Sequence, residues 1–134
     1  MDSNRQEITV AAVPWSEQAA LILAPSVPYA TVEDLRAQVE AGAVLFSVEC
    51  AGAPVGFYVL RVDVSPSGAE GVLVAAASVN AEFDLTANLL PHIEGQFTGC
   101  KSIRIHTARP GLAKKLATRA GYKSAEIVLR KNLK

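Results

Sequence analysis

The amino-acid sequence predicts a single α/β (α+β) domain over residues 1–134, with helices flanking a mixed, mostly antiparallel central sheet. The chain has the usual size of one domain, and half of its residues are hydrophobic while 19% are charged. Its apolar spacing predicts elements in the order β-α-α-β-β-β-α-β-α-β. Three consecutive strands in the middle exclude a doubly wound parallel sheet.

The first strand and helix meet at a proline. Residues 8–13 predict a strand, and Pro14 follows at a point where a helix can begin. The apolar spacing of residues 15–23 then predicts a short helix. Pro25 and Pro28 end this helix, because proline cannot continue the hydrogen-bond ladder.

The second helix has both a start and a stop signal. Thr31 can cap free backbone N–H groups, and Glu33 and Asp34 suit the positive end of the helix dipole. Apolar residues then recur at helical spacing up to Gly42, which is a natural stop.

Three strands follow in succession. Residues 44–50 and 55–64 predict a hairpin, with Gly56 as a bulge or a close approach inside its second strand. After a further turn, residues 71–77 predict a third strand. Its continuous apolar run suits a central position that is buried on both faces.

The last third alternates between helix and strand. Residues 84–97 predict a helix, and residues 102–107 alternate as a strand. Residues 110–120 predict a helix with proline in its first turn and Gly121 past its end, and residues 124–131 predict a closing strand. The passage from the third hairpin strand through a helix to the next strand implies one parallel crossover.

Charge is unevenly distributed along the chain. Residues 1–100 carry 3 basic and 12 acidic side chains, whereas residues 101–134 carry 10 basic and 1 acidic, for a net charge of zero. This indicates either an anionic partner for the basic part or neutralisation within one fold. With no membrane-length apolar run and no secretory pattern at its start, we expect a cytoplasmic protein without a membrane partner.

Motifs for metal binding and hydrolysis are absent from the sequence. Cys50 and Cys100 belong to no CxxC pair or Cys/His cluster, and there is no HExxH, GxSxG or P-loop. We therefore expect no metal. The two cysteines are expected to be reduced, half-buried thiols, with a nucleophile or a disulfide as the alternative.

The element order and the C-terminal residues resemble the GNAT family of N-acetyltransferases over nearly the whole chain. The most specific stretch is a helix rich in small residues that runs into Arg119-Ala120-Gly121-Tyr122. Residues 103–129 also resemble short GNAT-like proteins of bacteriophages and prophages. The resemblance implies an acyl-CoA-dependent N-acyltransferase. The alternative is an inactive domain for binding or assembly, in a phage virion or against a host protein.

The resemblance also implies acetyl-CoA as cofactor, held by a degenerate motif. Family members carry Arg/Gln-x-x-Gly-x-Gly/Ala where a buried strand leads into a helix, and the free N–H groups there bind phosphate. Ala81 falls on the Arg/Gln position, and Asp84 and Thr86 fall on the glycine positions, although Asp84 also suits a plain helix start. The implied cofactor residues are Ala75, Ala76, Phe83, Asp84, Leu85, Thr86, Arg109 and Lys114.

Three residues are candidates for the catalytic base. His106 ends the 102–107 strand, near where the sheet splays in this family, and titrates near neutral pH; the alternative is a surface histidine. Glu49 and Glu70 lie at strand ends, where family members often keep a base. The family's acid, a tyrosine on the last helix, falls on Ala117, which cannot donate a proton.

A basic cluster on and beside the last helix is the remaining signal. It suits CoA phosphates, nucleic acid, an acidic protein surface, or a merely solvated helix face. Neutral net charge and sparse aromatic residues argue against nucleic acid. We expect a protein partner or self-association and, for an enzyme, a small-molecule amine. The cluster comprises Lys101, Arg104, Arg109, Lys114, Lys115, Arg119 and Lys123.

Overall fold

The computed structural model describes residues 8–26, 31–79, 85–105, 110–125 and 129–133. In these ranges one five-stranded sheet has the order β1-β2-β3-β4-β5. Neighbouring strands pair antiparallel except β4 and β5, which are parallel. The predicted fold class is confirmed. The strands are β1 Ile8–Ala12, β2 Val44–Cys50, β3 Ala53–Ser65, β4 Gly68–Ser78 and β5 Ser102–Ile105, and the helices are α1 Glu17–Leu23, α2 Val32–Glu40, α3 Leu85–Gln96 and α4 Pro110–Arg119.

Side-chain caps set the starts of α1 and α2. Ser16 accepts a hydrogen bond from the backbone N–H of Ala19, so α1 begins at Glu17 and not at residue 15. The predicted Thr31 cap of α2 is confirmed, and the structure adds a reciprocal bond from Asp34 that completes a capping box. The backbone N–H of Thr31 donates to the Asp34 carboxylate and holds its pKa below the ordinary value.

The sheet is covered on both faces, and β4 contributes to both cores. On one face, α1 and α2 pack over Leu45, Val59 and Ala75. On the other face, α3 packs over Tyr58 and Leu60 through a stripe of apolar side chains. The prediction that β4 is buried on both faces is confirmed. The α3 stripe consists of Leu89, Ile93 and Phe97.

The closing strand predicted over residues 124–131 is absent wherever the structure describes that range. Residues 124, 125 and 129–131 are outside any strand, and 126–128 lie beyond the described ranges. Leu129 is 90% exposed, so it buries no apolar surface to offset the entropy of ordering the chain. The β3–β4 hairpin, in contrast, is longer than predicted. Its strands continue to the pair Ser65 and Gly68, which leaves Pro66 and Ser67 as the turn.

None of the helices in the described ranges has both the length and the apolar character needed to cross a lipid bilayer.

Candidate functional site

The parallel pair β4–β5 is described up to Leu73 and Ile105, and we call the end of the sheet beyond this pair the open end. Its register runs from Glu70 opposite Ser102 to Leu73 opposite Ile105. β4 continues to Ser78, which adds about 16 Å of strand beyond this pairing. We call this continuation of β4, on its β5-facing edge, the β4–β5 cleft.

A β-bulge marks the point where the cleft begins. On β3, Leu60 pairs with Leu73 while the adjacent Val59 pairs with Ala75, so Val74 is an extra residue in β4. A bulge of this kind bends the strand and increases its twist. The bulge therefore turns β4 at the residue that follows its last pairing with β5.

Small residues lie along the cleft. Ala75 is buried on the α1–α2 face, and Ala76 is half-buried on the α3 face. Both were predicted to lie at the cofactor. Gly56 faces the end of β4, where an added Cβ would lie 2.7 Å from the carbonyl oxygen of Ala77. The close approach predicted for Gly56 is confirmed, on the β3 side of β4.

Helix α3 directs its amino end towards the opening of the cleft. The backbone N–H of Lys101 donates to the Ala69 carbonyl at 2.8 Å, which places the chain after α3 beside the start of β4. Since α3 leads from the end of β4 back to this point, its first turn lies at the open end. That turn begins with Leu85 and Thr86, two predicted cofactor residues, and lies at the positive end of the helix dipole.

The two carboxylates predicted as bases lie at opposite ends of the sheet. Glu70 precedes the bulge by four residues, about 13 Å along the strand. Its Oε1 accepts from Nη1 of Arg104 at 2.8 Å, and its Oε2 accepts from Oγ of Ser102 at 2.7 Å. Glu49 is exposed near the end of β2, where Val48 pairs with Gly56. Because Gly56 pairs in turn with the last residue of β4, Glu49 lies at the open end.

The described tyrosine hydroxyls bond to the carboxyl end of α3, away from the opening. Tyr58 donates to Oε1 of Gln96 at 2.7 Å, and burial raises its pKa to about 12. Tyr122 donates to Oε2 of Glu94 at 2.9 Å, and burial together with this carboxylate raises its pKa. Ala117, at the position of the family's acid, is exposed on α4. No phenol among the described residues is placed to donate a proton in the cleft.

The predicted basic cluster is only partly a free basic surface. Lys114 is exposed on α4, on the side opposite the buried Leu116, as predicted. Arg104 instead forms ion pairs with Asp63 at 2.9 Å and with Glu70 at 2.8 Å. These contacts neutralise one cation of the basic part within the fold. Sequence reasoning missed this network, although the charges at alternate residues of β3, Arg61 and Asp63, could have indicated it.

Several predicted site residues lie outside the described ranges. They are Phe83, Asp84, His106 and Arg109. Among the described residues, Cys50 and Cys100 are half-buried thiols, and no group of three or more His, Cys, Asp or Glu side chains is arranged to hold a metal ion.

Solved structures share this architecture at low sequence identity. A transcriptional regulator from Bacillus halodurans C-125 aligns with a TM-score of 0.67 and 16% identity, over 95% of this chain and 100% of its own. A ribosomal-protein-alanine N-acetyltransferase from Brucella melitensis biovar Abortus 2308 gives 0.67 and 14%, over 93% and 100%. The aminoglycoside N-acetyltransferase AAC(6')-Iy, solved with CoA, gives 0.64 and 14%, over 98% of each chain.

These similarities define the fold of the chain. No protein-family model matches the sequence, and no curated protein sequence matches it. The structural neighbours include acetyltransferases, and this chain, with its mixed sheet and parallel β4–β5 pair, shares their fold. The chain has the GNAT fold.

Proposed function

We propose that the chain binds an acyl-coenzyme A in the β4–β5 cleft and acts as an N-acyltransferase of degenerate type. The observation that carries the proposal is the bulge at Val74, which bends β4 just beyond its described pairing with β5, while β4 continues to Ser78. An acyl-CoA ligand is also consistent with a neighbour solved in complex with CoA.

The small side chains along β4 support a site for the pantetheine arm of coenzyme A. This arm is extended and carries two amide groups, and the edge of a strand binds such chains through main-chain hydrogen bonds. Ala75 and Ala76 are too small to cover the adjacent backbone. Backbone donors and acceptors need partners when they are shielded from water, so a bound amide chain would satisfy this edge.

The amino end of α3 would lie at the phosphate end of the ligand. Free N–H groups and the helix dipole favour an anion there. The acidic side chains of Glu82 and Asp84, which precede the helix in sequence, oppose this attraction. We therefore expect weaker binding than in family members that have glycines at these positions.

Few side chains near the cleft are candidates for proton transfer in the proposed reaction. An attacking amine must be neutral, which requires a base near the open end of the cleft, and Glu49 and His106 are the proposed candidates. Glu70 is proposed as a structural residue, because both of its oxygens are hydrogen-bonded at the other end of the pair. With alanine at position 117, the departing thiolate would take its proton from water or from an undescribed group, and the turnover would be slow.

A catalytically inactive binding or assembly domain is the second candidate. The observation that favours it is the placement of Tyr122, which packs beside Glu94 and not in the cleft. In that case the cleft would hold an extended ligand or a strand of a partner protein without chemistry. The phage association suggested by the sequence belongs to this candidate.

Binding and turnover of acetyl-CoA separate these candidates. We would titrate the full chain with acetyl-CoA up to about 1 mM by calorimetry, and then follow transfer of radiolabelled acetyl groups to a panel of amines. Saturable binding with transfer supports the enzyme. Binding without transfer to any amine, or to the chain itself, supports the inactive domain. No binding at 1 mM contradicts the acyl-CoA proposal and favours the second candidate with a protein strand as its ligand. Glu49→Gln, with Glu33→Gln as an exposed control, tests the base.

A further inference from the structure

A cluster of polar side chains joins three strands at the end of β4–β5 opposite the cleft. Asp63, Glu70 and Ser102 lie in register across β3, β4 and β5, and Arg61, Val72 and Arg104 form the next row on the same face. We call the group of Asp63, Glu70, Ser102 and Arg104 the closed-end clamp.

Arg104 spans the whole width of the clamp. From β5, its Nη1 donates to Glu70 on β4 at 2.8 Å, and its Nη2 donates to Oδ2 of Asp63 on β3 at 2.9 Å. Two strand spacings separate β3 from β5, about 10 Å, so the side chain must cross β4. Val72, which lies in register between Arg61 and Arg104, is only 3% exposed. The arginine thus fixes the position of β5 relative to both β4 and β3.

The clamp is also connected to α2. Arg61 donates to both oxygens of Asp63, at 2.7 and 3.1 Å, and its Nη1 donates to Oε1 of Gln38 at 2.7 Å. Asp63 and Glu70 therefore each accept hydrogen bonds from two other side chains. The orientation of Arg104 is set by groups that are themselves held in place.

Stability alone does not account for this arrangement. The side chains of Arg104 and Asp63 are 26% and 41% exposed, and ion pairs at such sites contribute about 1 kcal/mol or less. Nε of Arg104 is buried and has no hydrogen-bond partner within the described ranges, which costs on the order of 1–3 kcal/mol. The geometry of β5 is the property that the clamp determines most directly.

Strand β5 benefits from such a contact because it has a neighbour on one side only. It lies at the edge of the sheet in the described part of the chain. Its pairing is parallel, which is slightly less stable per residue than antiparallel pairing. The last pair, Leu73 and Ile105, lies one position beyond the Arg104 row, at the start of the cleft.

We propose that Arg104 is a positioning residue that fixes β5 on β4 next to the β4–β5 cleft, and that this position of β5 shapes the ligand site. The inference rests on the proposed function for its ligand, an acyl-CoA. It assigns Arg104 no contact with that ligand. Loss of the clamp is expected to leave β5 free to shift on β4, which would weaken ligand binding in the cleft beside it.

The test compares Arg104→Met with Arg36→Met in the full chain. Methionine keeps an apolar side chain over Val72 and removes both ion pairs. Arg36→Met makes the same change of charge at an exposed α2 pair with Glu40, away from the cleft. We would measure amide hydrogen exchange in β5, and the Kd of coenzyme A at a temperature where each protein is fully folded. For Arg104→Met we expect about tenfold faster exchange in β5 and about tenfold weaker coenzyme A binding. Arg36→Met should change neither.

The two readouts keep this inference separate from the proposed function. If the wild-type chain binds no coenzyme A, the proposed function fails, and the link from the clamp to a ligand fails with it. If the wild type binds but Arg104→Met changes only the thermal midpoint, Arg104 is merely structural and the proposal is overturned. Faster β5 exchange with an unchanged Kd also overturns it.

Two milder variants cover the case in which Arg104→Met does not fold. Arg104→Lys can reach one acid but not both, so its Kd should lie between those of the wild type and the methionine variant. Ser102→Ala removes one of the hydrogen bonds to Glu70 and keeps Arg104 in place. Its Kd should rise less than twofold, and a larger loss than for Arg104→Lys would contradict the role of Arg104.

Discussion

The ring of Phe97 lies against the bare backbone of Gly71. A Cβ atom added at Gly71 would fall 2.4 Å from Cγ of the ring, closer than any real contact of that kind. Phe97 follows the last turn of α3, and Gly71 lies in β4 where β5 pairs with it. The missing side chain at position 71 thus allows α3 to approach the sheet at the closed end of the β4–β5 pair.

Gly71→Ala should therefore destabilise the fold. The added methyl group must displace Phe97, and overpacking of this kind costs about 1–3 kcal/mol. Gly95→Ala is the matched control, because a Cβ atom there meets nothing within 4 Å. Alanine in place of that helical glycine should stabilise α3 by about 0.5–1 kcal/mol. Urea unfolding of both variants would measure the difference, and equal midpoints would contradict the packing.

The capping box at α2 predicts a second pair of variants. Thr31→Ala removes the oxygen that accepts from the backbone N–H of Asp34, which should cost about 1 kcal/mol of unfolding free energy. Thr118 on α4 instead donates to the carbonyl of Lys114, four residues earlier in its own helix. Thr118→Ala should be neutral or slightly stabilising, because alanine has the higher helix propensity. Equal losses of unfolding free energy in Thr31→Ala and Thr118→Ala, measured by chemical denaturation, would contradict the role of Thr31 as a cap.

Stability should fall steeply with pH above 10, in part through Tyr58. Its pKa is about 12 in the folded chain against 10 for the unfolded reference, so the folded state keeps the proton longer. The contribution of the protonated Tyr58 hydroxyl to the free energy of unfolding is fully present below pH 10. It decreases by about 2–3 kcal/mol as pH rises to 12. Tyr58→Phe should lose about 1 kcal/mol at pH 7 with its hydrogen bond to Gln96, yet be less sensitive to alkali. Parallel stability curves from pH 8 to 12 would contradict this assignment.

Asp63 should contribute to acid sensitivity. Hydrogen bonds from Arg61, and then from Arg104, hold its pKa below the ordinary value of 3.8. A carboxylate with a lowered pKa stabilises the fold above the unfolded pKa, and this stabilisation is lost as pH falls through the folded value. The difference in stability between wild type and Asp63→Asn should be constant above about pH 5 and shrink below pH 4. Glu33→Gln, at an exposed site on α2, is the control; a constant difference down to pH 2 would refute the assignment.

Much of the fold could be predicted from local signals in the sequence. Thr31, Asp34 and Gly42 bounded α2 correctly, because capping and left-handed backbone are local requirements. Alternation and turn residues located β2, and the apolar run of β4 indicated burial on both faces. The prediction of a closing strand was wrong at residues 124, 125 and 129–131. Alternation of apolar and polar residues cannot show whether a sheet face is available to cover Leu129.

The candidate site was less accessible to prediction because it depends on long-range register. The bulge at Val74 follows from the pairing of β3 with β4, which no local pattern encodes. The role of Glu70 was likewise hidden, since its partners Ser102 and Arg104 lie more than thirty residues away. The small residues Ala75 and Ala76 were assigned to the cofactor only through resemblance to a family, and that assignment remains a prediction.

The most direct test of acyl-CoA binding in the β4–β5 cleft is an NMR titration of the 15N-labelled chain with coenzyme A. The account predicts saturable shifts of the backbone amides of Val74–Ser78 and of the first turn of α3. Amides of β1, at the opposite edge of the described sheet, should not move. No saturable shift at millimolar coenzyme A would contradict the account, as would shifts confined to the shallow cleft beside Tyr122 and Lys101.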